Sequence, residues 1–133
     1  MITIYYNKNC RASIKAISWF KRYKMEVRVK SLGQISYTEL ITVLSSRDKG
    51  FSDLLKNPNK IKKENLFKTD LLSTMTVNQA INYIKINPIL LKTPIIIEKN
   101  KVLVGYDSEQ IRIFLPKEYR RKFLFENVID DNF

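Results

Sequence analysis

The chain carries one cysteine, Cys10, and no histidine among its 133 residues. A thiol does chemistry as its thiolate, which forms most readily at a helix N-terminus or beside cations. Cys10 precedes a helical pattern and has Lys8 and Arg11 as close neighbours, so it is the candidate redox thiol. A lone cysteine is also commonly a small apolar filler, and both readings stand at this point. The same counts exclude a Cys–His couple, a His/Cys metal centre and an intramolecular disulfide within one chain. Only three glycines are present, which excludes a glycine-rich phosphate loop. No metal and no cofactor is expected.

The second chemical signal is charge. Lys and Arg total 24 against 13 Asp and Glu, a net charge of +11. A field of that sign favours polyanions such as nucleic acid or an acidic protein face. A lysine-rich composition without a partner gives the same count. Lys60, Lys62 and Lys63 form a local cluster that reads either as a phosphate contact or as a solvated face. The hydrophobic content of 44% and charged content of 28% suit one compact domain with a buried core. The opening Met1-Ile2-Thr3-Ile4-Tyr5-Tyr6 has neither the basic leader nor the apolar block of a signal peptide. No run approaches the roughly 20 apolar residues of a membrane helix. A cytoplasmic location without membrane contact is therefore expected.

The elements that position these residues follow from periodicity. Ile2 to Tyr6 reads as a strand, and the spacing predicts a helix from about Arg11 to Tyr23. That helix would gather Ala12, Ala16, Trp19, Phe20 and Tyr23 on one side and Arg11, Lys15, Ser18 and Arg22 on another. Glu26 to Lys30 alternates as a second strand, giving a parallel βαβ unit. Ser36 with Glu39, and Thr76 with Gln79, are capping boxes. Behind them run the apolar sets Tyr37, Leu40, Ile41, Leu44 and Val77, Ala80, Ile81, Ile84. Gly50 breaks the first of these helices, Asp53 to Lys56 begins a short one, and Asn57-Pro58-Asn59 is a turn. Ile95–Glu98 and Lys101–Val104 flank Lys99-Asn100 as a tight hairpin. Asp107 or Ser108 would cap a last helix carrying Ile111, Phe114 and Leu115 inward, and Glu126 to Phe133 reads as an exposed tail. The order is βαβ, a helical block, then ββα. It is compatible with an α/β thioredoxin-like mixed sheet holding an all-helical insertion.

Three local patterns carry a resemblance. Ile4-Tyr5-Tyr6-Asn7-Lys8-Asn9-Cys10-Arg11-Ala12-Ser13 resembles the opening of Spx and arsenate-reductase-like (ArsC) proteins. Leu90-Leu91-Lys92-Thr93-Pro94-Ile95-Ile96-Ile97 is similar to that family's Leu-Leu-Arg-Arg-Pro-Ile-Ile-Ile segment. Val104-Gly105-Tyr106, Ile111-Arg112 and Phe114-Leu115-Pro116 resemble its closing motif. The resemblance implies one ArsC/Spx-like domain: a thioredoxin-like core over about 1–30 and 89–120, a helical insert over about 31–88, and a tail over about 121–133. It also implies that Pro94 is a structural cis-proline facing the Cys10 loop.

The family contains reductases and regulators, and the residues discriminate between them. Its arsenate reductases set a cysteine nucleophile beside arginine forks that hold the oxyanion. By the resemblance, one such arginine is replaced by Pro58 and the Arg-Arg pair by Lys92-Thr93. Arg112 is kept and is followed by Ile113. The expectation is therefore a non-enzyme of the Spx type, a regulator that binds the C-terminal domain of the RNA polymerase α subunit and redirects stress-related transcription. The alternative is a single-cysteine, thiol-dependent reductase using Cys10, and a binding module with another partner is a third reading. The resemblance assigns the polymerase contact to the stretch holding Arg47, Lys49 and Gly50, where a small residue admits a partner backbone; Gly50 also reads as a helix C-cap. An arginine of the Spx surface aligns with Ser45. Lys60 matches a basic position near promoter DNA, so Lys60, Lys62 and Lys63 are the candidate phosphate contacts. Ser13 stands where Spx commonly has its second cysteine, so the Cys-x-x-Cys disulfide switch is expected to be absent. A monomer is expected.

Overall fold

The computed structural model describes residues 1–46, 50–56, 68, 70–99 and 101–116. Among these residues a four-stranded mixed sheet is the frame, with β1 (Ile2–Tyr6), β2 (Val27–Ser31), β3 (Ile95–Glu98) and β4 (Lys101–Val104) in the order β2-β1-β3-β4. β1 pairs parallel to β2, with Ile4 opposite Val29, and antiparallel to β3, with Ile4 opposite Ile96. β3 and β4 pair antiparallel with Glu98 opposite Lys101. The two-residue connection between them has Lys99 at φ 53°.

Side chains alternate across a strand, so one strand feeds two cores. Ile2 and Ile4 of β1, with Ile96 and Leu103, face α1 (Arg11–Arg22) and the C-terminal segment. Ala16, Trp19 and Phe20 pack there against Ile111, Phe114 and Leu115. Tyr5 and Ile95 face the opposite way, into Leu40 and Val43 of α2 (Tyr37–Ser45) and Ala80, Ile81 and Ile84 of α3 (Val77–Ile86). Both faces of the sheet are therefore covered. The parallel pair lies at one side of the sheet: β1 is buried at the centre, while β2 is the edge strand, with Arg28 and Val29 exposed.

Each helix boundary has a local cause. α1 stops in a Schellman arrangement: Lys24 adopts φ 54°, its N–H donates to Lys21 O (3.0 Å), and Met25 N–H donates to Phe20 O (3.0 Å). Both capping boxes form. Ser36 Oγ accepts from Glu39 N–H (3.1 Å) while Ser36 N–H donates to Glu39 Oε1 (3.1 Å). Thr76 Oγ1 accepts from Gln79 N–H (3.3 Å) while Thr76 N–H donates to Gln79 Oε1 (3.0 Å). Tyr37 O–H donates to Asn78 Oδ1 and ties α2 to α3. Tyr5 O–H donates to Glu39 Oε2, tying the central strand to α2.

Three expectations are corrected. Val77, expected on the inward stripe of α3, is exposed, because as the first helical residue it lies beyond the edge of the core. No helix runs from Asp53 to Lys56; a 3₁₀ turn over Gly50–Asp53 leads instead into a β-bridge between Leu55 and Leu91. The last helix is a five-residue 3₁₀ segment, Gln110–Phe114, with Glu109 as its N-cap. Asp107 still organises it, because its Oδ1 accepts the N–H groups of Glu109 (2.8 Å) and Gln110 (3.0 Å). Pro116 stops propagation, since the residue before a proline is driven from the helical region, and Leu115 is extended at φ −72°, ψ 137°.

Candidate functional site: a thiol cavity at the start of α1

Asn7, Lys8 and Asn9 turn the chain from β1 into α1. Cys10 N–H donates to Asn7 O (3.0 Å) and Asn9 N–H to Asn7 Oδ1 (3.0 Å), which closes the turn. Cys10 is thereby the N-cap of α1, with extended backbone and its thiol over the first helical N–H groups. Ser13, one turn on, is buried, and its Oγ accepts from Asn7 N–H (3.3 Å). That bond leaves the Ser13 O–H free to point at sulfur.

The opposite wall comes from the segment before β3. The Thr93–Pro94 peptide is cis, and the protonated Cys10 thiol donates to Thr93 O at 3.5 Å. Burial pushes the thiol up. The Thr93 hydroxyl, the Ser13 N–H and O–H and the Ala12 N–H together outweigh this, holding Cys10 below its ordinary value of 9.0. Serine at position 13 thus supplies a donor to sulfur where a second cysteine would supply a disulfide partner.

The thiol opens into a cavity of about 540 Å³ whose charged lining is Arg11, Lys56 and Lys92. Lys56 N–H donates to Leu90 O (2.9 Å) and Lys92 N–H to Leu54 O (2.8 Å), so a short antiparallel clasp carries both lysines to one rim. Arg112 does not line this cavity; its Nε–H donates to Glu109 O (3.2 Å) and its charge faces Asp107. The structure therefore brings together Cys10, Arg11, Lys56, Lys92, Thr93 and the cis Pro94 peptide. Lys56 escaped the sequence reading. A lysine facing Lys92 through paired Leu-Leu-Lys runs, 54–56 and 90–92, was the available signal.

The other expected contacts sit apart. α2 ends at Ser45 with Ser46 as its C-cap, so Gly50 does not cap it and instead opens the following 3₁₀ turn. Arg47, Lys49, Pro58, Lys60, Lys62, Lys63 and the tail over about 121–133 lie outside the described residues. Among the described residues no cluster of His, Cys, Asp and Glu could hold a metal ion, and no helix is long and apolar enough to cross a membrane.

A single thiol at a helix N-terminus, facing a cis-proline across a mixed sheet with a helical block between its halves, defines a thioredoxin-like α/β protein of the arsenate-reductase type. The ArsC family matches residues 5–114, and the chain belongs to that family. The global transcriptional regulator Spx of Streptococcus mutans is 30% identical over 131 residues, covering 97% of this chain and 93% of the relative. Spx of Streptococcus agalactiae serotype V is 28% identical with the same coverage. Among solved structures, SACOL0876 of Staphylococcus aureus COL superimposes with a TM-score of 0.69 at 20% identity, covering 85% of this chain and 97% of the other. A possible arsenate reductase from Streptococcus mutans UA159 gives 0.67 at 18% identity, covering 81% and 92%. These structures share the fold; the regulator names come from the sequence relatives.

Proposed function

We propose that this protein is an Spx-type transcription regulator that binds the C-terminal domain of the RNA polymerase α subunit and redirects stress-related transcription. The observation that carries this reading is similarity to Spx regulators along 97% of the chain. Arg47, Lys49 and Gly50 form the polymerase contact, and Lys60, Lys62 and Lys63 touch promoter phosphates within the complex. The protein acts as a cytoplasmic monomer and not as an enzyme. With one cysteine in the chain, control operates without an intramolecular disulfide, and Cys10 is left to form a mixed disulfide or to stay reduced. The test is transcription in vitro with purified polymerase. The unmutated protein is expected to change output at responsive promoters, and Gly50→Arg to have no effect. Equal effects of the two proteins would remove the docking surface from the account.

A second reading draws support from the cavity itself. Arg11, Lys56 and Lys92 surround a thiol held below its ordinary pKa, which suits an oxyanion substrate. In that reading Cys10 attacks arsenate with loss of water, and two external thiols supply the two electrons and leave as a disulfide. Lysines are weaker clamps than the arginine forks they replace, because an ammonium offers a point charge and not a planar bidentate pair. Arsenate reduction with glutathione, lost in Cys10→Ala, is the assay that would favour the reductase.

A further inference from the structure

α1 presents a charged face that, Arg11 at the cavity rim apart, neither docking nor the thiol cavity uses. Arg11, Lys15, Ser18 and Arg22 recur at i, i+4, i+7 and i+11, and all four are exposed. The inward face is committed to the sheet through Ala16, Trp19 and Phe20, so the basic stripe looks outward. Lys21 and Lys24 flank its far end and Lys8 its near end, all exposed. From Met1 to Met25 the chain has these six cations and no acidic residue.

The helix uses only part of that charge: Lys21 and Arg22 lie in its last turn, where cations suit the dipole, and Arg22 also lies over the Tyr23 ring at 5.2 Å. The first turn of α1 has no acidic residue to meet the positive end of the helix dipole, and Arg11 sits there instead. α1 itself holds no acid; the first acidic residue of the chain is Glu26, four residues after Arg22, so Lys15 and Lys21 have no acid three or four residues away. Lys15 and Lys21 make no salt bridge among the described residues. A 12-residue helix is about 18 Å long, enough to span the roughly 12 Å major groove with cations at both ends.

We propose that the outer face of α1 binds the phosphate backbone of double-stranded DNA, without reading its sequence. This goes beyond polymerase docking, does not require it, and concerns a face other than Lys60, Lys62 and Lys63. The test uses the full chain with a short fluorescein-labelled duplex of arbitrary sequence, measured by anisotropy across a salt series. The logarithm of affinity should fall linearly with the logarithm of salt. Lys15→Gln/Lys21→Gln/Lys24→Gln should flatten that slope by about 2 to 3 and weaken binding at low salt at least tenfold. A control triple, Lys85→Gln/Lys99→Gln/Lys101→Gln, removes the same charge from exposed positions elsewhere and should leave the slope nearly unchanged. Equal losses in the two triples would mean bulk charge, not α1, and would overturn the proposal. So would a flat salt response of the unmutated protein, or a loss of binding to phosphatidylserine vesicles with DNA binding unaltered. Gly50→Arg should bind the duplex normally, which separates this result from any failure of polymerase docking.

Discussion

Lys56 and Lys92 reach the rim of one cavity because the backbone segments that carry them are hydrogen-bonded to each other, Lys56 N–H to Leu90 O and Lys92 N–H to Leu54 O. The same clasp follows directly on the turn begun by Gly50, so the insert is anchored beside the thiol. Two cations at the rim should draw anionic reagents toward Cys10. The ratio of alkylation rates by iodoacetate and iodoacetamide isolates that pull, since the reagents differ chiefly in charge. Lys56→Gln/Lys92→Gln is expected to lower the ratio several-fold at low salt and much less at high salt. An unchanged ratio would mean that the lysines do not act on the thiol.

Ser13 should control the acidity of Cys10. Its N–H and O–H are among the groups that stabilise the thiolate against burial. Ser13→Ala removes the hydroxyl, so the pH midpoint of Cys10 alkylation should rise toward 9.0. A depressed thiol value is also a stability statement. The contribution is fully present above the unfolded thiol value and is lost as pH falls through the lowered folded value. Cys10→Ala should therefore cost more stability in alkaline than in neutral solution, as read by urea unfolding. A midpoint that does not move in Ser13→Ala would contradict the assignment.

The Tyr5–Glu39 bond joins the sheet to the insert, and Tyr5 is fully buried. Glu39→Ala removes both this acceptor and half of the capping box, so it should cost about 2–4 kcal/mol. Tyr5→Phe, which leaves Glu39 partly solvated, should cost about 1 kcal/mol. Burial pushes the Glu39 carboxyl up, but the Tyr5 hydroxyl, the Ser36 N–H and hydroxyl and the Lys30 charge outweigh it and hold it below 4.5. Its contribution is present above 4.5 and is lost as pH falls through the lowered value. Acid unfolding monitored by circular dichroism should lose this dependence in Glu39→Gln.

Lys24 occupies the left-handed position after α1 at φ 54°, a conformation costing a side-chain-bearing residue about 1 kcal/mol or more. Lys24→Gly should raise stability by about 0.5 kcal/mol after the entropic cost of glycine is subtracted. Lys24→Val, branched at Cβ, should lower it. Thermal melts of the two variants in opposite directions are the expected result.

What was legible in the sequence was local or periodic. The capping boxes at Ser36 and Thr76 declare themselves within four residues, and alternation from Ile2 to Tyr6 is enough to mark a strand, though not its central place in the sheet. The short reach of the last segment was hidden because Asp107, Ile111 and Phe114 suit an α-helix and a 3₁₀ turn alike, and Pro116 decides between them. The Tyr5–Glu39 tie was not legible at all, and Lys56 left only the faint signal of the paired Leu-Leu-Lys runs. Each pair is separated by more than thirty residues, and no spacing rule joins positions that meet only through the fold. Arg112 shows the converse: a residue matching a family motif engages Glu109 and Asp107 and leaves the cavity to Lys56 and Lys92.

The central claim is polymerase docking, and calorimetric titration of the purified protein with the isolated C-terminal domain of the RNA polymerase α subunit tests it most directly. The account predicts saturable binding that is abolished by Gly50→Arg and unaffected by Cys10→Ala. Absence of binding by the unmutated protein, or equal binding by Gly50→Arg, would contradict it.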